Sequence, residues 1–455
     1  MAISKPVGID LGTTNSAVGI MNETDSEIIL PKDAMGISTL PSCIWHDPKK
    51  NQIIVGKMAF RRRGYRPSPV TSIKRKMGTT ILTPLGKRNP FPENVPATLK
   101  TILRETRQER LERYLGGLEE ADPKRLEDKR AKIRQDPPAL WIFDQDARLK
   151  TYLSTIEDKD LRECLEKDPP LLWLPQEISA LILAEEQRLM AERLNSTGNT
   201  FHVDRAIITV PAYFDAGQIE ATREAGAMAG LHVLELLQEP TAAAIYNCWK
   251  CNCQDGVFLV FDLGGGTFDV SIVRITAGKP EVLGISGNKF LGGDDMDSAL
   301  AEWIRACILK EDDSYALDLD PSKEEDCCIR NQLVLLSEGV KKSLSTQGET
   351  WLRDTNTVKD KTSNPVAIEM MITRDVFESL LLPIVDRCFP KCWEALALAK
   401  KRADVSLKDI DQIFLVGGST HIPIVQRLVR ERFCQYEEAR PLPSDKIDKI
   451  LSDIK

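Results

Sequence analysis

Phe261-Asp-Leu-Gly-Gly-Gly-Thr-Phe-Asp269 decides the fold, because its chemistry is already present near the start of the chain as Gly8-Ile-Asp-Leu-Gly-Thr-Thr-Asn-Ser16. In each case a run of β-branched and apolar residues, 7–10 or 257–262, ends in Asp-Leu-Gly. Small residues then permit a tight hairpin before a second apolar strand, 17–20 or 270–275. Similar units about 250 residues apart predict two related α/β lobes. A third unit, the apolar run 413–416 followed by Gly417, Gly418, Ser419 and Thr420 and a helical pattern over 422–433, reads as strand, glycine turn and helix of the second lobe.

Backbone amides that surround phosphates need small residues, so that the chain can approach the oxygens. Gly12, Thr13, Thr14 and Asn15 fit that task in the first hairpin, as do Gly264, Gly265, Gly266 and Thr267 in the second, with the phosphates expected between the lobes. Asp10 and Asp262 each stand where a strand ends, suited to hold the waters of a hard cation such as Mg²⁺. Either aspartate alone could simply cap a glycine turn, but the duplication favours the metal reading. No Gly-x-x-x-x-Gly-Lys-Ser/Thr loop and no helix-opening Gly-x-Gly-x-x-Gly are present, so a P-loop or dinucleotide site is excluded as the phosphate cradle.

Further motifs follow in a matching order. Ile73-Lys74-Arg75, Val210-Pro-Ala-Tyr-Phe214, Glu239-Pro-Thr-Ala-Ala-Ala244, Leu291-Gly-Gly-Asp-Asp-Met-Asp297, Ser337-Glu-Gly-Val-Lys-Lys-Ser-Leu-Ser345 and Val416-Gly-Gly-Ser-Thr-His-Ile-Pro423 together resemble the ATPase domain of the DnaK-type seventy-kilodalton heat-shock chaperones. The resemblance spans nearly the whole chain. It implies an α/β, two-lobed actin-like ATPase fold, shared with actin and hexokinase, with the nucleotide in the interlobe cleft. Lobe I would cover residues 1–256, with a charged insertion at about 89–170, and lobe II residues 257–455.

Carried over by position, the resemblance makes Lys74 a contact to the γ-phosphate and the attacking water, and Glu239 an aid in placing water or metal. Thr267 becomes a γ-phosphate donor, while Asp10, Glu239 and Asp262 hold Mg²⁺ mostly through water, so that catalysis is largely positioning. ATP or ADP with Mg²⁺ is the implied cofactor set, with K⁺ as an optional second cation. Gly293, Asp294, Glu338, Lys341, Lys342, Ser345, Gly417, Gly418, Ser419 and His421 are the remaining candidate nucleotide contacts. Read without the resemblance, Lys74 is a solvated lysine of a basic run, Glu239 a helix cap before Pro240, and Glu338, Lys341 and Ser345 one polar helix face.

Two departures stand out. The family clamps adenine between arginines where Lys342 and His421 stand here, which predicts weaker stacking. An arginine that relays nucleotide state from the hinge proline is replaced by Ile219, which puts coupling to a substrate domain in question.

Bulk properties agree with a multi-lobed globular chain: 455 residues, 42% hydrophobic, with a net charge of -7 from 68 acidic and 61 basic residues. That balance provides no global field for nucleic acid or anionic membrane. The sequence has neither a bilayer-length apolar run nor a leader in its first residues, so a cytoplasmic protein is expected. Eleven cysteines, an odd number, read as reduced thiols. Cys248, Cys251 and Cys253 form a Cys-x-x-Cys-x-Cys stretch, read as a reduced surface loop or a soft-metal site, and Cys388 with Cys392 as helix packing.

Residues 97–170 hold 33 charged side chains in 74, of which 16 are basic and 17 acidic. Pairs such as Glu109 with Arg113 and Asp128 with Lys132, with breaks at Gly116, Pro123 and Pro137-Pro138, predict solvated helices or a partner-binding surface. A J-domain co-chaperone and a nucleotide-exchange factor are implied partners of a monomer. The reading expects no peptide clamping by this chain alone, because no β-sandwich substrate-binding domain follows before Lys455. An actin-like filament or scaffold and a small-molecule kinase of the same superfamily are the competing readings, although no sugar-pocket signature is evident.

Overall fold

The structure is a computed structural model that describes residues 3–22, 27–33, 36–63, 67–88, 92, 94–104, 123–124, 127, 145–157, 159–196, 201–251, 255–320 and 324–435. The chain divides into two compact units: Met1–Phe60, Pro69–Val210 and Phe214–Leu236 in the first, and Arg61–Ser68, Pro211–Tyr213 and Leu237–Lys455 in the second. The Glu239–Cys251 helix therefore belongs with the second unit, whereas the motif order places it in the first.

In the first unit the strand Ile3–Asp10 runs antiparallel to Asn15–Met21, with Gly8 opposite Gly19 and Asp10 opposite Ala17. On its other side it runs parallel to Phe201–Val210, with Val7 opposite Ala206 and Ile9 opposite Ile208. His232–Gln238 and Ile28–Ile29 lie at the two ends of this strand order. Val7 and Ile9 are buried while Gly8 and Asp10 are exposed, the two-residue alternation that leaves the terminal Asp10 carboxylate in the open.

The Pro175–Asn195 helix packs on this sheet. Pro175 needs no amide partner in the first helical turn, and the Glu177 carboxylate accepts a hydrogen bond from the Leu174 amide at 2.8 Å, satisfying an end group the helix cannot.

The second unit repeats the plan. Gly256–Leu263 is antiparallel to Phe268–Thr276, with Asp262 opposite Asp269, and parallel to Gln412–Val416, with Asp262 opposite Val416. Lys279–Asn288 extends the sheet beyond Phe268–Thr276. A helix, Phe389–Ala403, crosses so closely that a Cβ at Gly284 would come within 2.1 Å of the Ala395 carbonyl oxygen. Phe261 meets Phe268 at 4.7 Å and Phe389 at 6.3 Å between ring centroids, filling the core on that face. Each hairpin with its parallel third strand thus ends in the glycine turn that the sequence duplicates.

The charged segment leaves and returns through paired strands, Thr83–Lys87 and Pro170–Trp173, with Lys87 opposite Pro170. Its helix Lys159–Lys167 buries no residue, as balanced charge predicts. The helix Gln145–Ser154 does otherwise. Arg148 is fully buried and forms a bidentate pair with Glu177 at 2.7 Å for both bonds, while its guanidinium also donates to the Leu172 carbonyl at 2.8 Å. Leu99 and Leu103 of Ala97–Arg104 are buried in the same core. Part of the segment is therefore core rather than solvated surface. The Glu109 with Arg113 and Asp128 with Lys132 pairs lie outside the described residues.

No described helix is long and apolar enough to cross a membrane. None of the described cysteines is in a disulfide. Cys388 and Cys392 are buried beside the Phe389–Ala403 helix start, and burial pushes both thiols up, so they pack as small apolar groups. Cys248 is buried, whereas the Cys251 side chain and Cys253 lie outside what the structure describes.

Candidate functional site

In the first unit the turn after Asp10 is built by close approach. A Cβ on Gly12 would lie 1.8 Å from the Asn15 carbonyl oxygen, so only glycine closes this hairpin. Ser42 braces it from a neighbouring segment: its amide donates to the Thr14 carbonyl at 2.8 Å, and its hydroxyl to the Gly12 carbonyl at 2.8 Å. Ser16 Oγ lies 2.9 Å from Ser42 Oγ. With those carbonyls engaged, Thr14 Oγ1 is left buried without a hydrogen-bond partner. An orphaned hydroxyl two residues from a glycine position that admits no side chain is the kind of donor set a phosphate oxygen completes. Thr209, at the end of the parallel strand, donates to Asp10 Oδ1 at 2.8 Å and fixes that carboxylate.

Lys74 lies in the same unit, on the single 3₁₀ turn Ile73–Lys76. Ser72 before it has φ 54, a left-handed conformation that turns the chain into the protein, and Lys74 is only 6% exposed. The solvated-lysine alternative is therefore set aside. Ile219 is partly buried on the Ala216–Met228 helix, which Asp215 caps by accepting from the Gln218 amide at 2.9 Å.

In the second unit, four of the sequence-derived segments converge. The Gly264 amide donates to Thr267 O at 3.0 Å, closing the second glycine turn. Gly264 O in turn accepts from the Gly293 amide at 3.0 Å and from Ser419 Oγ at 2.8 Å, and Gly265 O accepts from the Asp294 amide at 2.6 Å. Gly417 has φ 87, and a Cβ there would stand 2.7 Å from Asp262 Oδ1, so this glycine lets the Gly417–Ser419 turn meet the strand end carrying Asp262. Gly266 and Thr267 complete the turn, with Thr267 partly exposed.

Lys341 joins this cluster from the Glu324–Leu344 helix: its Nζ donates to Asp297 Oδ2 at 2.6 Å and to the Gly293 carbonyl at 3.3 Å. Burial raises the Asp297 carboxyl to about 6, outweighing the lowering by Lys341, and Asp297 Oδ1 has no hydrogen-bond partner. Glu338, one turn before Lys341, is held between two cations. Its Oε1 accepts from Lys342 at 2.8 Å and its Oε2 from Arg63 at 3.3 Å. Ser345 Oγ donates to the Lys341 carbonyl at 2.8 Å, leaving its lone pairs available. Lys342 and His421 are exposed, as a pair of stacking side chains would be. Glu239 opens the Glu239–Cys251 helix immediately before Pro240 and is partly buried. That position suits both a cap and a water ligand.

Ser42, Thr209, Arg63 and Asp297 take part in these clusters without having been singled out as site residues. Only Asp297 had a local signal, since it closes the quoted Leu291–Asp297 loop motif. The other three act across long sequence separations that no spacing reveals. Among the described residues no group of three histidine, cysteine, aspartate or glutamate side chains could hold a metal by direct ligation.

Two hairpin-plus-parallel-strand units, each ending in an Asp-Leu-Gly turn, define the class as the actin-like ATPase fold. The model of the family described as Hsp70 protein matches residues 6–100 and 152–447, and this chain belongs to the Hsp70 family. The match passes over residues 101–151, which include Arg148. The chain is 32% identical to the chaperone protein DnaK of Mycoplasmopsis agalactiae, over 94% of this chain and 54% of that one. It is 33% identical to that of Thermotoga maritima over 94% and 55%, and 33% to the chaperone protein dnaK of Trieres chinensis over 94% and 57%. The chain thus spans about half the length of these relatives.

Proposed function

We propose that this chain binds ATP and hydrolyses it slowly with Mg²⁺, as the nucleotide-binding domain of a heat-shock-type chaperone. The observation that carries this reading is the duplicated turn: an aspartate at a strand end followed by a glycine turn in both units, with an orphaned Thr14 hydroxyl in the first. The amides of Gly12–Asn15 and of Gly264–Thr267 bind phosphate oxygens, and the Thr14 hydroxyl donates to one of them. Mg²⁺, when bound, neutralises charge on the phosphates, and Asp10, Asp262 and Glu239 are the carboxylates assigned to its waters. Lys74, already desolvated, stabilises charge developing on the γ-phosphoryl group and orients the attacking water, while Thr267 donates to the same group.

Glu338, Lys341 and Ser345 face ribose and adenine, with Gly293, Asp294, Gly417, Gly418 and Ser419 shaping the backbone beside them. Lys342 and His421 stack more weakly than a pair of guanidinium groups would. K⁺ serves as a second cation, and the protein works in the cytoplasm as a monomer. J-domain co-chaperones and nucleotide-exchange factors are its partners, and unfolded clients are engaged only through a substrate-binding domain. Single-turnover hydrolysis of γ-labelled ATP tests this. Wild type should release phosphate slowly, and folded Lys74→Ala should lose about 10²-fold or more in rate while still binding nucleotide. Equal rates in the two proteins would remove Lys74 from the chemistry.

A further inference from the structure

The Pro175–Asn195 helix carries a carboxylate that the nucleotide chemistry does not use. Glu186 is 1% exposed, on a buried helix face otherwise made of residues such as Ile178, Ile182 and Met190. Its Oε1 has no hydrogen-bond partner, a costly arrangement for a carboxylate unless a ligand completes it.

Glu186 lines a cavity of about 480 Å³ within the first unit, a volume in the range of small-molecule sites. The other walls are largely apolar, with Leu40, Val55 and Leu189 among them, and Ile37 and Met58 are left 45% and 58% exposed along the same lining. The neighbouring charges are mostly occupied with one another. On the same helix Arg188 pairs with Glu185 at 2.7 Å and also with Glu192. On the facing segments Lys57 pairs with Asp33. Lys32 and Arg193 line the cavity as well, but neither supplies Glu186 Oε1 with a hydrogen bond.

We propose that this cavity binds an organic cation: an ammonium or guanidinium group on a short aliphatic stem, the head reaching Glu186 and the stem lying against Leu40, Val55 and Leu189. None of the lining residues is assigned to the nucleotide reading, although the Asp10 carboxylate is near enough to act on Glu186. Burial first, then the nearby Glu185 and Asp10 carboxylates, push the Glu186 carboxyl up to about 8. The empty site therefore holds a proton at pH 7, which an incoming cation must displace.

The test is calorimetric titration of the whole chain with n-butylguanidinium, which keeps its charge across the pH range, in buffers of differing ionisation enthalpy. One ligand should bind with release of about 0.9 proton at pH 7 and about 0.1 at pH 9, and about tenfold more tightly at pH 9. Neutral butylurea should not bind. Glu186→Gln should abolish binding while melting like wild type at pH 4, where the Glu186 carboxyl is largely protonated in both the folded and the unfolded chain. No binding of butylguanidinium to wild type, equal binding of butylurea, binding without proton release, or unchanged binding by Glu186→Gln would each overturn the proposal. A blocked arginine tetrapeptide distinguishes the sources: tighter binding than butylguanidinium assigns the site to a side chain of a protein partner, weaker binding to a free small cation.

Discussion

Replacing Arg148 with alanine should destabilise the first unit by about 4 kcal/mol, near the middle of the range for breaking a buried ion pair. The magnitude follows from what is left behind. Glu177, 1% exposed, loses both 2.7 Å guanidinium bonds, while the 2.8 Å bond from the Leu174 amide remains. Leu172 O loses a 2.8 Å donor but retains Gln145 Nε2 at 2.9 Å, so the buried carboxylate that loses its bidentate cation accounts for most of the loss. About 4 kcal/mol lowers the folded-to-unfolded ratio roughly a thousandfold.

Urea denaturation followed by tryptophan fluorescence reads this loss, since Trp173 is fully buried beside the pair and its Nε1 donates to Leu85 O at 2.8 Å. Hydrogen exchange along the Pro175–Asn195 helix checks that the effect is local. The double variant Arg148→Met with Glu177→Leu removes both charges and should recover all but about 1 kcal/mol, the residue being the lost cap on the Leu174 amide. A single-variant loss under about 1 kcal/mol, or a double variant no better than the single, would show that the loss does not come from the buried Glu177 charge.

Other outcomes follow from the same structure. Because Glu186 titrates near 8 when folded and at 4.5 otherwise, its protonated form favours folding. That contribution is complete below about pH 4.5 and lost as pH rises through 8. Glu186→Gln should match wild type in melts at pH 4.5 and be the more stable at pH 9 by up to about 5 kcal/mol. Lys341→Met leaves Asp297 without its 2.6 Å cation and should weaken ADP binding by roughly 10- to 150-fold in a fluorescent-nucleotide titration, equivalent to about 1.5–3 kcal/mol. Lys342→Arg combined with His421→Arg should tighten adenine nucleotides by about 5-fold or more in the same assay, with little change in tripolyphosphate affinity.

Much of this architecture was legible because it repeats. The Asp10 and Asp262 turns are local, each written in a strand of alternating or continuous apolar residues followed by small residues, and the geometry requires the small size at Gly12. The role of Lys341 was less so. Its position on a helix was plain from spacing, but its counter-ion Asp297 lies 44 residues away, and only the fold brings them together. Glu338 read as a ribose contact, whereas the structure also gives it to Arg63 and Lys342. The charged segment was the hardest to read. Helical spacing and balanced charge fit Lys159–Lys167, but nothing in the composition separates Arg148 from its solvated neighbours, because what buries it is Glu177 at the start of a different helix. Glu186 was equally hidden, because nothing in the local sequence separates this buried carboxylate from its half-buried neighbour Glu185.

Equilibrium binding of ATP, with Mg²⁺ present, to the folded chain tests the nucleotide assignment of the two glycine turns. Saturable binding is expected at one nucleotide per chain, weakened when Mg²⁺ is removed by chelation and again when Asp10 and Asp262 are both replaced by asparagine. Absence of binding by protein shown to be folded, or binding indifferent to Mg²⁺ and to both aspartates, would contradict the assignment of the two glycine turns to a nucleotide.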